Sequence, residues 1–135
     1  ELATLCDVLT VEIEHVNCDI LADLDAKGVV KVQPSPKTIA VIQDKHAQKE
    51  HFKEHGVPMP RYVDTPTVSS VQEAGVKFGY PLMLKAKRMA YDGKGNAAVM
   101  DESGVEAAFS KLGGQDLYVE EWADFDKELA VMVGI

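Results

Sequence analysis

The stretch "GYPLMLKAKRMAYDGKGNAAVMD", residues 79–101, decides how the rest of the chain is read. Apolar runs at "PLMLKAK" and "NAAVM" flank a polar, glycine-rich insert from about Lys87 to Asn96. An Asp-Gly step between apolar runs is a hairpin signal. A minimal hairpin needs only two turn residues, so this insert exceeds what chain reversal requires. Gly93 and Gly95 free the backbone to approach a ligand without Cβ collisions. Successive exposed N–H groups in such a loop form an anion-binding concavity. Lys94 stands at the tip, and Lys85, Lys87 and Arg88 precede it, giving four cations in ten residues. The loop is not a Walker A loop, which ends in Gly-Lys-Ser/Thr on a helix; here a strand follows. Its logic is closer to the glycine-rich strand-loop-strand flap over the phosphates of kinase nucleotides. An ordinary flexible hairpin with solvated lysines fits the same residues.

The strand before the loop carries a second signal. Alternation places Leu82, Leu84 and Ala86 on one face, wholly apolar and suited to a core. Met83, Lys85 and Lys87 form the other face, an apolar wall with two cations. A nucleotide pocket floor has that character, and so does a solvated edge strand with protective lysines.

Outward from this stretch the segments alternate. "DVLTVEI" is β-rich, and Cys18 to Lys27 is helical and stopped by Gly28. "VVKVQ" is a short strand, closed by the Pro34-Ser35-Pro36 turn. Lys37 to His55 carries helical periodicity through Ile39, Ile42 and Phe52, and Gly56 stops it. Pro58 and Pro60 make an extended exit into "RYVDT". The pattern Ser70-Val-Gln-Glu73 predicts a capping box and a helix ending at Gly79. Ser103-Gly-Val-Glu106 predicts another, ending at Gly113-Gly114. "DLYVEEW" and "KELAVMV" read as the last two strands, the chain closing in mid-strand. The expected fold is α/β to about Gln33, the edge of a parallel sheet, and α+β from about Tyr62.

Composition bounds the function. The chain has 135 residues, 46% of them hydrophobic, enough for one modest core or parts of two. Its net charge of −8 and pI near 4.9 disfavour a polyanionic partner, so no nucleic acid is expected. Cys6 and Cys18 are too few for a disulfide framework or zinc cluster and read as reduced thiols of a cytoplasmic protein. No apolar run approaches membrane-span length, and no signal peptide is visible. Both ends lack a polar, fraying tail, so the chain reads as a piece of a longer protein.

"YVEEWADFDKE", residues 118–128, concentrates acidic groups beside Trp122, the single tryptophan. Exposed backbone groups there can pair with a purine edge, and carboxylates can accept from an exocyclic amine or ribose hydroxyls. A solvent-facing acidic edge is the plainer reading. His51 and His55 have the i,i+4 spacing of a metal pair, but "HAQKEHFKEH" is so polar that a solvated helix face describes it better. His15, after two carboxylates, suits either a base or a strand-end histidine bonded to backbone.

Five blocks then occur in order: "DVLTVEIEHV", "PSPKTIAVIQDKHAQKEHF", "GVPMPRY", "GYPLMLKAKRMAYDGKGN" and "YVEEWADFDKELAVMV". Together they resemble N5-carboxyaminoimidazole ribonucleotide synthetase, an ATP-grasp enzyme of purine biosynthesis. Met89-Ala90, where many bacterial members carry Gly-Gly, is most similar to the fungal form, phosphoribosylaminoimidazole carboxylase, in which a carboxylase domain follows. The resemblance implies an ATP-grasp fragment. Residues 1–36 correspond to the end of the N-terminal, Rossmann-like substrate-side domain. Residues 37–135 correspond to the connecting helix and small nucleotide-grasping subdomain.

The resemblance also implies roles. Lys45 matches a basic position contacting ATP, and Lys85 the strand lysine that reaches the α-phosphate region. Ala90, Tyr91, Asp92, Gly93, Lys94, Gly95 and Asn96 match the flexible loop over the phosphates. Glu120, Glu121, Trp122 and Ala123 match the adenine hinge, and Glu128 the ribose-binding carboxylate. Tyr91, Asp92 and Lys94, as candidate catalytic groups, with Glu12 and Glu14, resemble positions near aminoimidazole ribonucleotide. The implied reaction phosphorylates bicarbonate with ATP, then carboxylates the 5-amino group of that ribonucleotide. Mg²⁺ is the implied metal, with its carboxylate ligands beyond Ile135 and none in this chain, so this stretch alone is expected not to complete the reaction. The family commonly forms dimers through regions outside this stretch. Another ATP-grasp ligase, such as a biotin carboxylase or glycinamide ribonucleotide synthetase, is opposed by the "EIEH", "PSP…QDK" and "AYDGKGN" blocks together. A non-catalytic nucleotide-binding module is the alternative from another class.

Overall fold

The computed structural model describes residues 1–88, 95–114 and 116–131. The first part is a small β-α-β unit. β1 (Val8–Leu9) and β2 (Lys31–Val32) run parallel, Val8 opposite Lys31 and Leu9 opposite Val32. Between them lies α1 (Cys18–Ala26), which starts where the Asn17 side chain accepts from the Ile20 N–H at 3.1 Å. That bond satisfies one of the donors a helix start leaves unpaired. Gly28, at φ +67°, takes the left-handed conformation that ends the helix. Asp25 Oδ1 accepts from the Val32 N–H at 3.0 Å and ties β2 to α1. Ala3, Leu21, Val30, Val32 and Ile39 form the buried core of this part.

The single helical segment expected over 37–55 is two helices, α2 (Pro36–Gln43) and α3 (Lys45–Glu54). Ser35 caps α2, with Pro36 at its first position. Asp44 breaks the run: at φ −117° and ψ 106° it leaves the helix, and its carboxylate accepts from the His46 and Ala47 N–H groups. A continuous 3.6-residue pattern does not reveal such a break, because the cap only offsets the second helix.

The second part is a four-stranded antiparallel sheet in the order β3-β6-β4-β5. Its strands are β3 (Tyr62–Asp64), β4 (Leu82–Ala86), β5 (Asn96–Val99) and β6 (Leu117–Glu121). α4 (Val68–Phe78) and α5 (Val105–Lys111) complete it. Alternation on β4 is as the sequence predicts: Leu82 and Leu84 are buried in a core with Val99, Leu117, Val119, Val71 and Val105, while Lys85 lies on the opposite face.

Other local expectations change as well. α4 begins a turn before the predicted box, because Thr67 and Ser70 cap each other: the Thr67 hydroxyl accepts from the Ser70 N–H at 3.1 Å, and the Ser70 hydroxyl from the Thr67 N–H at 3.0 Å. Before α5, Asp101 rather than Ser103 provides the cap, opening a short 3-10 turn. The expected last strand does not form over its described residues, 127–131. A strand exists through hydrogen-bonded neighbours, and no described strand pairs with this stretch. "DVLTVEI" and "VVKVQ" likewise shrink to two paired residues each. Among the described residues no helix is long and apolar enough to cross a membrane.

Candidate functional site

Strand register builds the site. Residues directly opposite in neighbouring strands project to one face. Tyr62, Glu120, Met83 and Ala98 form one such row, and Asp64, Tyr118, Lys85 and Asn96 the next. This face lies opposite the apolar core and carries every strongly polar side chain of β3, β4 and β6 apart from Glu121. The N-terminal half of α3 lies over it. His46 sits edge-on to the Tyr62 and Tyr118 rings, with centroids 5.7 and 6.0 Å away.

At the centre is Glu120, only 6% exposed. Its Oε1 receives Lys49 Nζ at 2.9 Å and the Tyr118 hydroxyl at 3.2 Å, and its Oε2 receives Lys85 Nζ at 3.0 Å. Burial pushes the Glu120 carboxyl up, but the hydrogen bonds and charges of both lysines outweigh it and hold it below the usual value. Burial and the Glu120 charge together push the Tyr118 phenol well up. Tyr118 therefore stays protonated and donates. Tyr62 donates to Glu50 at 2.9 Å and rises to about 12, through burial and that carboxylate.

The start of α3 is fastened to the end of β4. The Lys45 N–H donates to the Lys87 carbonyl at 2.7 Å, and Arg88 Nε donates to Asp44 Oδ2 at 2.9 Å. Burial pushes the Asp44 carboxyl up, but the N–H groups of Ala47 and His46 and the Arg88 guanidinium bring it below its ordinary value. Lys87 Nζ pairs with Asp64 at 2.6 Å. Next to this junction, where the two parts of the chain meet, is a cavity of about 450 Å³. Glu14, His15, Gln43, Lys45, Lys87 and Arg88 are among its lining residues. The Gln43 amide donates to the Glu14 and Val16 carbonyls, each at 2.6 Å, and fixes the Glu14 backbone on that wall. No ion pair among the described residues engages the Lys45 ammonium. The volume falls in the range of small-molecule pockets; Lys87 and Arg88 reach its wall already paired with Asp64 and Asp44, which leaves the Lys45 ammonium to meet an anion.

The sequence-derived candidates separate accordingly. Lys85 and Glu120 come together as a direct ion pair, and Lys45 and Glu14 share the cavity wall. Gly95 is buried and Asn96 is exposed on β5 opposite Lys85. Glu121 points elsewhere: it accepts from the Arg61 N–H at 2.8 Å and from Arg61 Nε at 2.6 Å. That side of β6 lies away from the Lys85 row, so Glu121 offers a site only its backbone. Trp122, Ala123 and Glu128 are exposed beyond β6, and Glu12 is exposed outside the cavity lining. Ala90, Tyr91, Asp92, Gly93 and Lys94 lie outside the described residues.

Sequence reasoning missed Lys49, Tyr118 and His46. The signals were present: Lys49 follows Lys45 by one helical turn, and Tyr118 alternates with Glu120 on one strand face. "HAQKEHFKEH" is not uniformly solvated either. His46, Lys49 and Glu50 are half-buried, whereas His51, Glu54 and His55 are exposed. Those last three bring ligand atoms within 4.8 Å of one another at the far end of α3 from Lys45. Two imidazoles and one carboxylate are the wrong donor set for Mg²⁺, which takes oxygen ligands.

Comparison with known proteins finds two matching domain families. The model of the ATP-grasp domain matches residues 50–134, and that of the ribonucleotide synthetase preATP-grasp domain matches residues 1–43. The phosphoribosylaminoimidazole carboxylase of Ogataea methanolica is 48% identical over 98% of this chain, which spans 25% of that protein. The N5-carboxyaminoimidazole ribonucleotide synthase of Synechococcus elongatus is 35% identical over 98% of the chain, which spans 33% of it. Among solved structures, carboxyaminoimidazole ribonucleotide synthase from Aspergillus clavatus complexed with ATP superposes with a TM-score of 0.86 at 42% identity. That match covers 93% of this chain and 33% of the solved one. A second structure from that organism, in complex with ADP and 5-aminoimidazole ribonucleotide, gives 0.83 at 38% identity, covering 93% and 32%. With its sheet, its lysine-clasped Glu120 and these matches together, the chain belongs to the ATP-grasp family.

Proposed function

We propose that this chain is the nucleotide-holding part of a ligase that makes N5-carboxyaminoimidazole ribonucleotide from aminoimidazole ribonucleotide, ATP and bicarbonate. The observation that carries the reading is the polar sheet face, where Lys85 meets Glu120 on the strand whose continuation, Lys87 and Arg88, lines a cavity together with Lys45. Likeness to structures holding ATP, or ADP with 5-aminoimidazole ribonucleotide, supports the same ligands here. In this reading Lys45 and Lys85 take the phosphates, with the loop of residues 90–96 above them. Glu120 to Ala123 line the adenine, and Glu128 takes the ribose. Glu14 and Glu12, with Tyr91, Asp92 and Lys94, face the aminoimidazole ribonucleotide. The domain division proposed is 1–36 and 37–135.

The chemistry suits such a site. Moving a phosphoryl group onto bicarbonate gathers negative charge, which preorganised cations offset. The carboxyphosphate formed must be kept from water, and a loop that covers the phosphates and later opens supplies that protection.

The test is ATP hydrolysis by the full-length protein in bicarbonate. Aminoimidazole ribonucleotide should stimulate it, and Lys85→Ala should abolish the stimulation. Stimulation by a different acceptor, and none by aminoimidazole ribonucleotide, would sink the assignment. In the present chain, Trp122 is the single tryptophan and is 44% exposed. Its fluorescence should change saturably with Mg-ATP, and less in Lys85→Ala.

A further inference from the structure

We propose that Lys49 is a positioning residue of this site: it is the standing counter-ion of Glu120, so that Lys85 can leave Glu120 for the anionic part of a nucleotide. The inference rests on the nucleotide reading above. Glu120 has two ammonium groups within 3.0 Å, so the cluster carries one cation more than it needs for neutrality. The two lysines are not equivalent. The Lys49 side chain is 16% exposed and is held by a helix lying over the sheet, whereas Lys85 is 27% exposed on the strand that leads into the loop. If Lys85 were the only partner, lending it to a phosphate would leave a buried carboxylate with no counter-charge, a costly state. With Lys49 and the Tyr118 hydroxyl both on Oε1, that oxygen keeps its bonds while Oε2 becomes available as an acceptor. An exocyclic adenine amine is a donor of the right kind.

The groups around Glu120 define what pH does here. Lys49 faces it from α3, Lys85 from β4 and Tyr118 from β6. Tyr62 lies opposite it in register on β3, with its hydroxyl on Glu50. His46 packs on both tyrosines. Removing the Lys49 charge leaves burial opposed by Lys85 and the Tyr118 hydroxyl, and raises the pH at which Glu120 takes up a proton. Protonation puts a donor on one of the two oxygens and weakens the carboxyl as an acceptor.

The experiment measures ATP dissociation constants for the full-length protein at pH 8 and pH 6. The variants are Lys49→Met, Lys49→Arg, Lys85→Met and Glu120→Gln, with folding followed by circular dichroism. Lys49→Met should weaken binding at least tenfold at pH 8. Its ratio to wild type should grow several-fold further at pH 6, and Lys49→Arg should restore most of the affinity at both. Reading each variant against wild type removes the titration of ATP itself. A loss of equal size at both pH values, not restored by arginine, assigns Lys49 a merely structural role and overturns the proposal. Wild-type affinity in Lys49→Met, with loss in Lys85→Met and Glu120→Gln, overturns it while leaving the site intact. Wild-type affinity in all of them removes the site and the inference together. Should Lys49→Met not fold, Lys49→Gln carries the same comparison.

Discussion

The two parts of this chain use apolar residues differently. In the second part the sheet buries Leu82, Leu84, Val99, Leu117 and Val119 under α4 and α5, and its antiparallel strands run up to five residues. In the first part β1 and β2 pair over two residues each, and Leu2, Leu5, Val8, Ile13, Ile20 and Val29 remain exposed. Isolated two-stranded pairing is marginal, and stable sheets need more strands or a packed face. The difference teaches that alternation of strand and helix in sequence gives a buried layer only where the strands pair along their length and helices cover the sheet. Here the second sheet has an apolar helix layer on one side and the polar end of α3 on the other.

The sharpest way to break this comparison is Leu84→Ala. Leu84 is fully buried on a central strand, and such truncations cost about 2–5 kcal/mol. Hydrogen exchange should speed up throughout β3 to β6 while α1 amides keep their rates. Equal acceleration in α1 would show that the two parts unfold as one unit.

Gly75→Ala comes next. A Cβ on Gly75 would overlap the Tyr80 ring, whose hydroxyl is itself buried. Overpacking costs about 1–3 kcal/mol, against roughly 1 kcal/mol that alanine gains over glycine in a helix. The net is a loss near 1 kcal/mol, measurable by urea denaturation. A gain in stability would mean that the ring moves aside freely.

Acid should act on the second part and on the junction. Glu120 and Asp44 both have carboxyls held below their ordinary values of 4.5 and 3.8. The unfolded chain therefore takes up protons first, and the stability these groups contribute is present above those values. It is lost as pH falls below them and through the lower values these carboxyls have in the fold, so the midpoint in urea should drop below about pH 4.5. Glu120→Gln should flatten that dependence; an unchanged slope would remove Glu120 as its source. The smallest effect belongs to Leu5→Ser. Leu5 is 78% exposed in the first part, and surface changes usually stay within about 0.5 kcal/mol. A larger loss would show that this surface is covered in solution.

Much of the fold was legible because it rests on local rules. Gly28 and Gly79 end helices where predicted, and alternation fixed which side of "PLMLK" enters the core. The misplaced starts share one cause: several Ser, Thr and Asp residues compete within a few positions. Thr67, Ser70, Asp44 and Asp101 were all eligible caps, and the partner N–H that packing brings into reach selects among them. The predicted last strand was apolar enough, but pairing is a property of two segments.

By itself, the sequence determined the division into a β-α-β part and an antiparallel α+β part, the polar face of β4, and the cluster of cations before the glycine loop. Those features follow from side-chain periodicity and backbone freedom, which act over a few residues. Only the tertiary structure decided that Glu120 takes Lys49 and Lys85 while Glu121 takes Arg61. Adjacent carboxylates in a strand point to opposite faces, and the cations that meet them arrive from a helix, a neighbouring strand and a loop far away in the chain. Burial then sets their strength, because a charge pair gains its force from the exclusion of water, and water is excluded only once the layers have packed.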